Sequence, residues 1–299
     1  MEKTGKFPGS CATLLFTIIF LLSLAMNAVA GQVKLGVLAK RGKTKAVQQW
    51  KPLADYLSRH TGESFSLLPL SFDAIEPAVK NGKIDYLIAN PGFFVTMHEK
   101  YGTKALASML NLRQGEELNR FGGVIFVRKD SPLEKLSDIR GKKFMCVKLT
   151  SFGGGQMAFR HFLDNGINPF KEFTSLLQGK KHDNVVLAVQ RGIVDAGTVR
   201  SDTLERMEME GKIKMSDFRI LDRKDDKFPF AHSTILYPEW PFAATRQAPE
   251  ALNVKVAEAL KALEKGSPAA KAARIAGWTA PLDYTQVKEC LELVKKAAR

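Results

Sequence analysis

The sequence predicts an α/β protein made of two serial βαβ units. Three observations carry that expectation. Apolar strands alternate with helix-period segments, the alternation halts and restarts once between residues 101 and 142, and 299 residues reach the size at which one core tends to split into two. The composition, 45% apolar and 25% charged, is that of a globular chain.

The first unit opens with QVKLGVL, a β-branched and aliphatic strand. AVQQWKPLADYLSRHTG follows with Val47, Trp50, Leu53, Ala54 and Leu57 on one helix face, and Gly62 stops it. SFSLLPLS reads as a second strand, FDAIEPAVKNG as a second helix ended at Asn81-Gly82, and IDYLIANPG as a third strand. Residues 101–132 read as strand, polar excursion and strand, punctuated by Gly122-Gly123 and Asp130-Ser131-Pro132. LEKLSDIRG reads as a short helix, and KKFMCVKL begins the second unit. Its helices are GQMAFRHFLDNG, HDNVVLAVQRG and SDTLERMEMEG, alternating with the strands EFTSLLQ, IVDAGTV and FRILDR. The tail, from PEALNVKVAEALKALEKG through SPAAKAARIAGW to YTQVKECLELVKKAAR, reads as helical throughout. Strands joined by helices imply parallel sheets.

Residues 1–30 read as an export signal. Lys3 and Lys6 precede an apolar run from Ala12 to Met26, and Ala28-Val29-Ala30 offers a cleavage site after Ala30. An uncleaved membrane anchor is the competing reading, because the run approaches the roughly 20 residues that cross a bilayer. Cys146 and Cys290 remain beyond the signal, both in apolar settings that read as buried thiols, so disulfides do not hold the fold. The formal charge is +14, or +13 once Glu2, Lys3 and Lys6 are removed, which favours anionic partners. The lysines are scattered, without the basic tract and interleaved aromatics of a nucleic-acid surface, and nucleic acid is not expected as a partner.

The stretch KFMCVKLTSFGGGQMAFRHFLDNG runs from strand to helix through small hydroxylated residues and glycines. Such a turn, at the carboxyl end of a strand, can present open N–H groups to an anion. Equally, Thr150 or Ser151 can serve as the helix N-cap, with the glycines as a tight connection.

IDYLIANPGFF, FVRKDSPLEKLSDIRGKK, TSFGGGQMAFRHFLDNGINP, HDNVVLAVQRGIVDAGTV and the closing AGWTAPLDY resemble the phosphate/phosphite/phosphonate-binding periplasmic proteins allied to ABC importers. The resemblance covers nearly the whole chain after the signal. HSTILYPEWPFAA and VRSDTLERM look closer to a subgroup, the phosphonate-binding-like sensory domains of some sensor histidine kinases. What the resemblance implies is a type 2 periplasmic-binding fold: two Rossmann-like α/β lobes, residues 31–120 with 232–299 and residues 121–231, joined by a double crossover and closing on ligand.

It also implies a site. The family's turn reads Ser-Thr-Ser-Gly, and Thr150, Ser151 and Gly153 match it while Phe152 replaces the third hydroxyl. Phe72 and Phe121 stand where phosphonate binders carry ligand-contacting tyrosines. Each missing donor removes a charge-assisted hydrogen bond of about 1.5–3 kcal/mol, so the cleft is expected to be more apolar than a phosphonate site. His182 matches a ligand-binding histidine; its plainer reading is a surface or capping histidine, with Asp183 as the cap. Asp202 falls where amino-phosphonate binders hold the ligand's amine, and reads equally as a helix N-terminal charge. Glu239 and Trp240 are expected where the chain returns across the hinge into the cleft, with Tyr237, Trp240 and Phe242 as an apolar wall or as loop packing. Phe93 and Phe94 carry the same two readings, and no role is assigned to His98, His161 or His232.

The expected function is therefore periplasmic binding of a small anionic solute. The partner is an ABC importer permease or, alternatively, a membrane sensor kinase. No nucleophile with its base, carboxylate pair or metal-ligand cluster is recognisable, so no enzyme, metal or cofactor is expected.

Overall fold

The structure is a computed structural model that describes residues 1–2 and 32–299, so the expected signal lies almost wholly outside the described residues. Residues 33–299 form one contact-linked unit containing two main sheets. In the first, β1 (Val33–Leu38), β2 (Phe65–Leu70) and β3 (Tyr86–Ile88) pair in parallel in the order β2-β1-β3, with α1 (Lys43–Thr61) and α2 (Ile75–Lys80) as crossovers. After α3 (Pro91–Tyr101) comes the long β4 (Lys104–Arg113), which pairs with the short β5 (Glu116–Leu118). The second sheet has the order β11-β7-β10-β8-β9, with β7 at Gly123–Arg128, β8 at Lys143–Cys146, β9 at Ser175–Gln178, β10 at Ala196–Arg200 and β11 at Phe218–Ile220. Strand β8 is parallel to β9 and β10, whereas β7 is antiparallel to β10 and β11. Its helices are α4 (Met157–Asp164), the single turn α5 (Pro169–Glu172), α6 (His182–Gln190) and α7 (Thr203–Met209).

The chain passes between the sheets twice, after β5 and after β11. The two passages pair with each other as β6 (Arg120–Phe121) and β12 (Tyr237–Pro238), with Tyr237 opposite Phe121. From there β13 (Pro241–Ala244) enters the first sheet between β3 and β4, antiparallel to both. Helices α8 (Glu250–Lys261) and α9 (Pro268–Ala273), strand β14 (Ile275–Thr279) and helix α10 (Thr285–Ala297) complete the chain. Helix α10 ties the ends together: Cys290 Sγ donates to Gln156 O at 3.6 Å, and Asn168 Nδ2 to Ala297 O at 3.3 Å. Among the described residues no helix is long and apolar enough to cross a membrane.

Three expectations are corrected. The tail is not all helical, because Ile275–Thr279 is a strand paired with β4. A short apolar run buried on both faces has no period that separates strand from helix, and Arg274, left-handed at φ 60°, ends α9 immediately before it. The sheets are mixed, since β13, β14 and β7 run antiparallel to their neighbours. LEKLSDIRG forms only a 3₁₀ turn, Leu136–Ile139: the Asp138 carboxylate accepts from the N–H groups of Glu134 and Lys135, which favours a local turn over a helix.

The sheets also share a device that the sequence reading passed over. Asp85 before β3 and Asp195 before β10 each accept from a backbone N–H at the start of a neighbouring strand, Lys34 in β1 at 2.7 Å and Lys143 in β8 at 2.8 Å. Their own N–H groups donate back to the carbonyls of the same two residues, at 2.9 and 3.0 Å. IDYLIA and VDAGTV are thus equivalent register pins.

The second sheet leans on an aromatic cluster in which Phe144, fully buried, packs edge-on to Phe162 at 5.4 Å and against Phe173 at 5.1 Å. Phe144→Ala is expected to remove about 3–5 kcal/mol of stability, read as a lower urea midpoint at unchanged slope.

Candidate ligand-binding site

Between β8 and α4, residues 152–156 form a π-helical turn. Ser151 N donates to Lys148 O, and Gln156 N to Ser151 O. The N–H groups of residues 152–155 have no acceptor outside the turn among the described residues. Such turns leave amides unused and recur at binding sites. Ser151 is buried at the N-cap position but its hydroxyl makes no capping bond, while Thr150 is exposed. Close approach explains the glycines: a Cβ on Gly153 would lie 2.6 Å from Phe121 Cε2, one on Gly154 2.5 Å from Val147 Cγ2, and one on Gly155 2.7 Å from Lys148 O.

Facing this turn is a chain of buried charges. Arg200 ends β10, and its Nη2 donates to Glu239 Oε1 at 2.8 Å while its Nε donates to Asp202 Oδ1 at 3.1 Å. The other Asp202 oxygen takes Arg113 Nε, from β4 of the first sheet, at 2.9 Å. Glu239, fully buried, also accepts from Trp240 N. The guanidinium of Arg200 lies over the Phe121 ring at 4.3 Å, and Lys40 Nζ over Trp240 at 4.6 Å. Burial pulls against the Arg200 charge, but Glu239 and Asp202 outweigh it and raise its pKa. Lys40 is half-buried, and its ammonium makes no hydrogen bond or ion pair among the described residues, although its backbone N–H donates to Leu38 O. Burial, then the Arg200 and Arg113 cations, lower its ammonium to about 7.

Two narrow cavities meet here, sharing Leu38, Lys40, Arg200 and Trp240. One, about 370 Å³ with its open mouth included, is lined by Phe72, Asn90, Phe121, Ser151, Phe152, Gly153 and His182. The other, about 430 Å³ on the same basis, reaches Arg41, Lys45, Asn111, Arg113 and Glu239. Burial, then Lys40 and Arg200, push His182 down to about 3, so it is neutral. Its Nδ1 accepts from Arg200 N at 3.3 Å, which assigns the remaining proton to Nε2 and makes that atom a donor.

The structure therefore gathers Ser151, Gly153, His182, Phe72 and Phe121 around one cavity and places Glu239 on the adjoining one. Asp202 is spent on two arginines, at φ 73°, and offers no free oxygen for an amine. Asp183 is not the α6 cap: Lys181 holds that position, and Asp183 pairs with Arg206 and Lys212. Tyr237, Phe242 and Phe94 pack in the core, so of the expected wall Tyr237, Trp240 and Phe242 only Trp240 lines the cavities. Phe93 packs on Phe72 at 5.9 Å. His161 and His232 pair with Asp222 and Asp226, and His98 bonds Thr103 O. The sequence reading missed Lys40, Arg113, Arg200 and Asn111. Lys40 and Arg200 stand at carboxyl ends of strands, where ligands of α/β sheets bind, and that signal was present.

A Cβ on Gly153 has no room, so Gly153→Ala is expected to cost about 1–3 kcal/mol, measured by urea unfolding. Glu239→Ala strands Arg200 and is expected to cost about 3–5 kcal/mol in the absence of anions, with part recovered when a site anion is added.

The phosphonate family model, described as the periplasmic substrate-binding protein of phosphonate ABC transporters, matches residues 35–285. The tetrathionate sensor histidine kinase TtrS of Salmonella typhimurium is 33% identical over 275 residues, which are 91% of this chain and 45% of the kinase. The chain thus spans about half the length of that relative. Among solved structures, XAC2383 from Xanthomonas citri bound to ATP superposes with a TM-score of 0.70 at 21% identity, covering 89% of this chain and 96% of that one. PhnD1 from Prochlorococcus marinus in complex with methylphosphonate gives 0.68 at 14% identity, covering 88% and 98%.

Proposed function

Because the chain belongs to the periplasmic substrate-binding family of phosphonate ABC transporters and has its type 2 periplasmic-binding fold, we propose that it closes on a small oxyanion whose oxygens sit on sulfur rather than phosphorus. One observation carries this reading: the cleft's unused donors are Lys40, the His182 Nε2–H and open amides, while Phe72, Phe121 and Phe152 form its walls. Phosphonate and phosphate are strongly hydrated and need many hydroxyl and amide donors to replace water. A sulfonate spreads its charge, and it suits weakly hydrated guanidinium and apolar surface. Tetrathionate, named for the kinase relative, is the leading candidate.

The two paired passages between the sheets support closure. Residues 121–231 move as one jaw and the remainder as the other, bending at the paired passages β6 and β12. The anion favours the closed state by contacting both, and a membrane partner reads that state. Residues 1–30 direct export to the periplasm. The 33% identity to a sensor kinase favours a sensing partner. The family model favours an importer permease, so an adjacent permease and ATPase, rather than an adjacent kinase gene, would mark transport.

A thermal-shift series with tetrathionate, thiosulfate, sulfate, methylphosphonate and phosphate tests the ligand class. At a hundred times its dissociation constant the ligand stabilises by about 2.7 kcal/mol. Tetrathionate is expected to do so, and stabilisation by methylphosphonate or phosphate alone would overturn the sulfur assignment.

The pH dependence has a definite sign. An anion binds the charged form of Lys40 and raises its pKa, so above about 7 binding takes up a proton. Affinity is therefore expected to be flat below about pH 7 and to fall above it, by up to about tenfold per unit. His182 stays neutral throughout this window and contributes no slope. Lys40→Met removes the slope, as titration calorimetry at several pH values would show.

A further inference from the structure

The cleft is two chambers rather than one. They meet at Lys40, Arg200 and Trp240, and the second lies beyond these residues, away from the glycine turn. We propose that this second chamber is a separate anion subsite, and that the ligand is a two-headed anion whose short apolar waist passes Trp240. The proposal rests on the oxyanion reading and extends it.

The polar groups of the second chamber divide cleanly by whether they are used. Its carboxylate, Glu239, has both oxygens engaged, one by Arg200 and one by Trp240 N. Asp202, beside it, is likewise saturated by Arg113 and Arg200. What remains is cationic or amide. Among the described residues Lys40, Arg41 and Lys45 have no carboxylate partner, and Arg113 Nη2 makes no hydrogen bond while its Nη1 and Nε are held. The Asn111 side chain, 1% exposed, lines the chamber with no partner for either amide atom, and its Oδ1 is fully buried. The half of this amide that an anion can satisfy is the Nδ2–H donor, which has no acceptor among the described residues; the buried Oδ1 is itself an acceptor and takes no part. An anionic head can take the Asn111 Nδ2–H and Arg113 Nη2 together.

The first chamber holds its own donors: the amides of residues 152–155, the Ser151 hydroxyl and His182 Nε2. Two heads joined by a short linker satisfy both, and the linker then passes between the cavities beside Trp240 and the Lys40 ammonium that lies over its ring. Linking the heads makes the second contact intramolecular, which raises affinity without a new kind of contact.

Calorimetry with 1,2-ethanedisulfonate, 1,3-propanedisulfonate and ethanesulfonate tests the proposal. At least one disulfonate is expected to bind about tenfold or more tighter than ethanesulfonate. Asn111→Leu and, separately, Arg41→Gln, which breaks no bond in the structure, are expected to weaken the disulfonate about tenfold and leave ethanesulfonate unchanged. Ser151→Ala should weaken both. Equal affinity for one-headed and two-headed probes, or equal losses for both in Arg41→Gln, overturns the second subsite while leaving the oxyanion reading intact. Failure of every sulfonate, with tetrathionate also inert, overturns the sulfur-oxyanion reading and the subsite with it.

Discussion

The buried run Arg113–Asp202–Arg200–Glu239 is the constraint on which the cleft depends. It begins on the first sheet, crosses to the end of β10 in the second, and finishes on the returning passage before β13. Burying such charges is unfavourable unless each is paired, and here every carboxylate oxygen has a donor. The pairing leaves Lys40 outside it, and among the described residues Arg41 and Lys45 on the second cavity are likewise without a carboxylate partner, so the cleft carries more positive charge than its carboxylates cancel. That surplus is what an anion meets.

The same network fixes geometry around the turn. Arg200 lies on Phe121, Phe121 fills the space that a side chain on Gly153 would need, and the Arg200 N–H sets the tautomer of His182. The amides of residues 152–155 thus face donors and aromatic walls already locked by neighbours. A ligand meets a site whose orientation cost has largely been met in folding.

Much of the architecture was legible because it follows from periodicity. The α1 stripe at Trp50, Leu53, Ala54 and Leu57 and the glycine-rich turn are local patterns, although Val47, expected on that stripe, is exposed. The antiparallel entry of β13 and the strand at Ile275–Thr279 were not, since short runs buried on both faces carry no period, and pairing with β4 is decided far away in sequence. The site shows the same division. Ser151, Gly153, His182, Phe72 and Phe121 entered through a resemblance and converge on one cavity. Arg113 sits mid-excursion, with nothing local to mark it, and meets Asp202 across 89 positions of chain. Asp202, read as a receptor for an amine or as a helix-end charge, is occupied because two arginines distant from or adjacent to it arrive at its two oxygens. Pairing of that kind is a tertiary fact, invisible to residue type.

The most direct measurement of the central claim is a crystal structure of the protein grown with tetrathionate. The account predicts the anion's oxygens on the open amides of residues 152–155, with Lys40 and Arg200 against the same molecule. An anion bound elsewhere, with those amides satisfied by protein atoms or water alone, would contradict it.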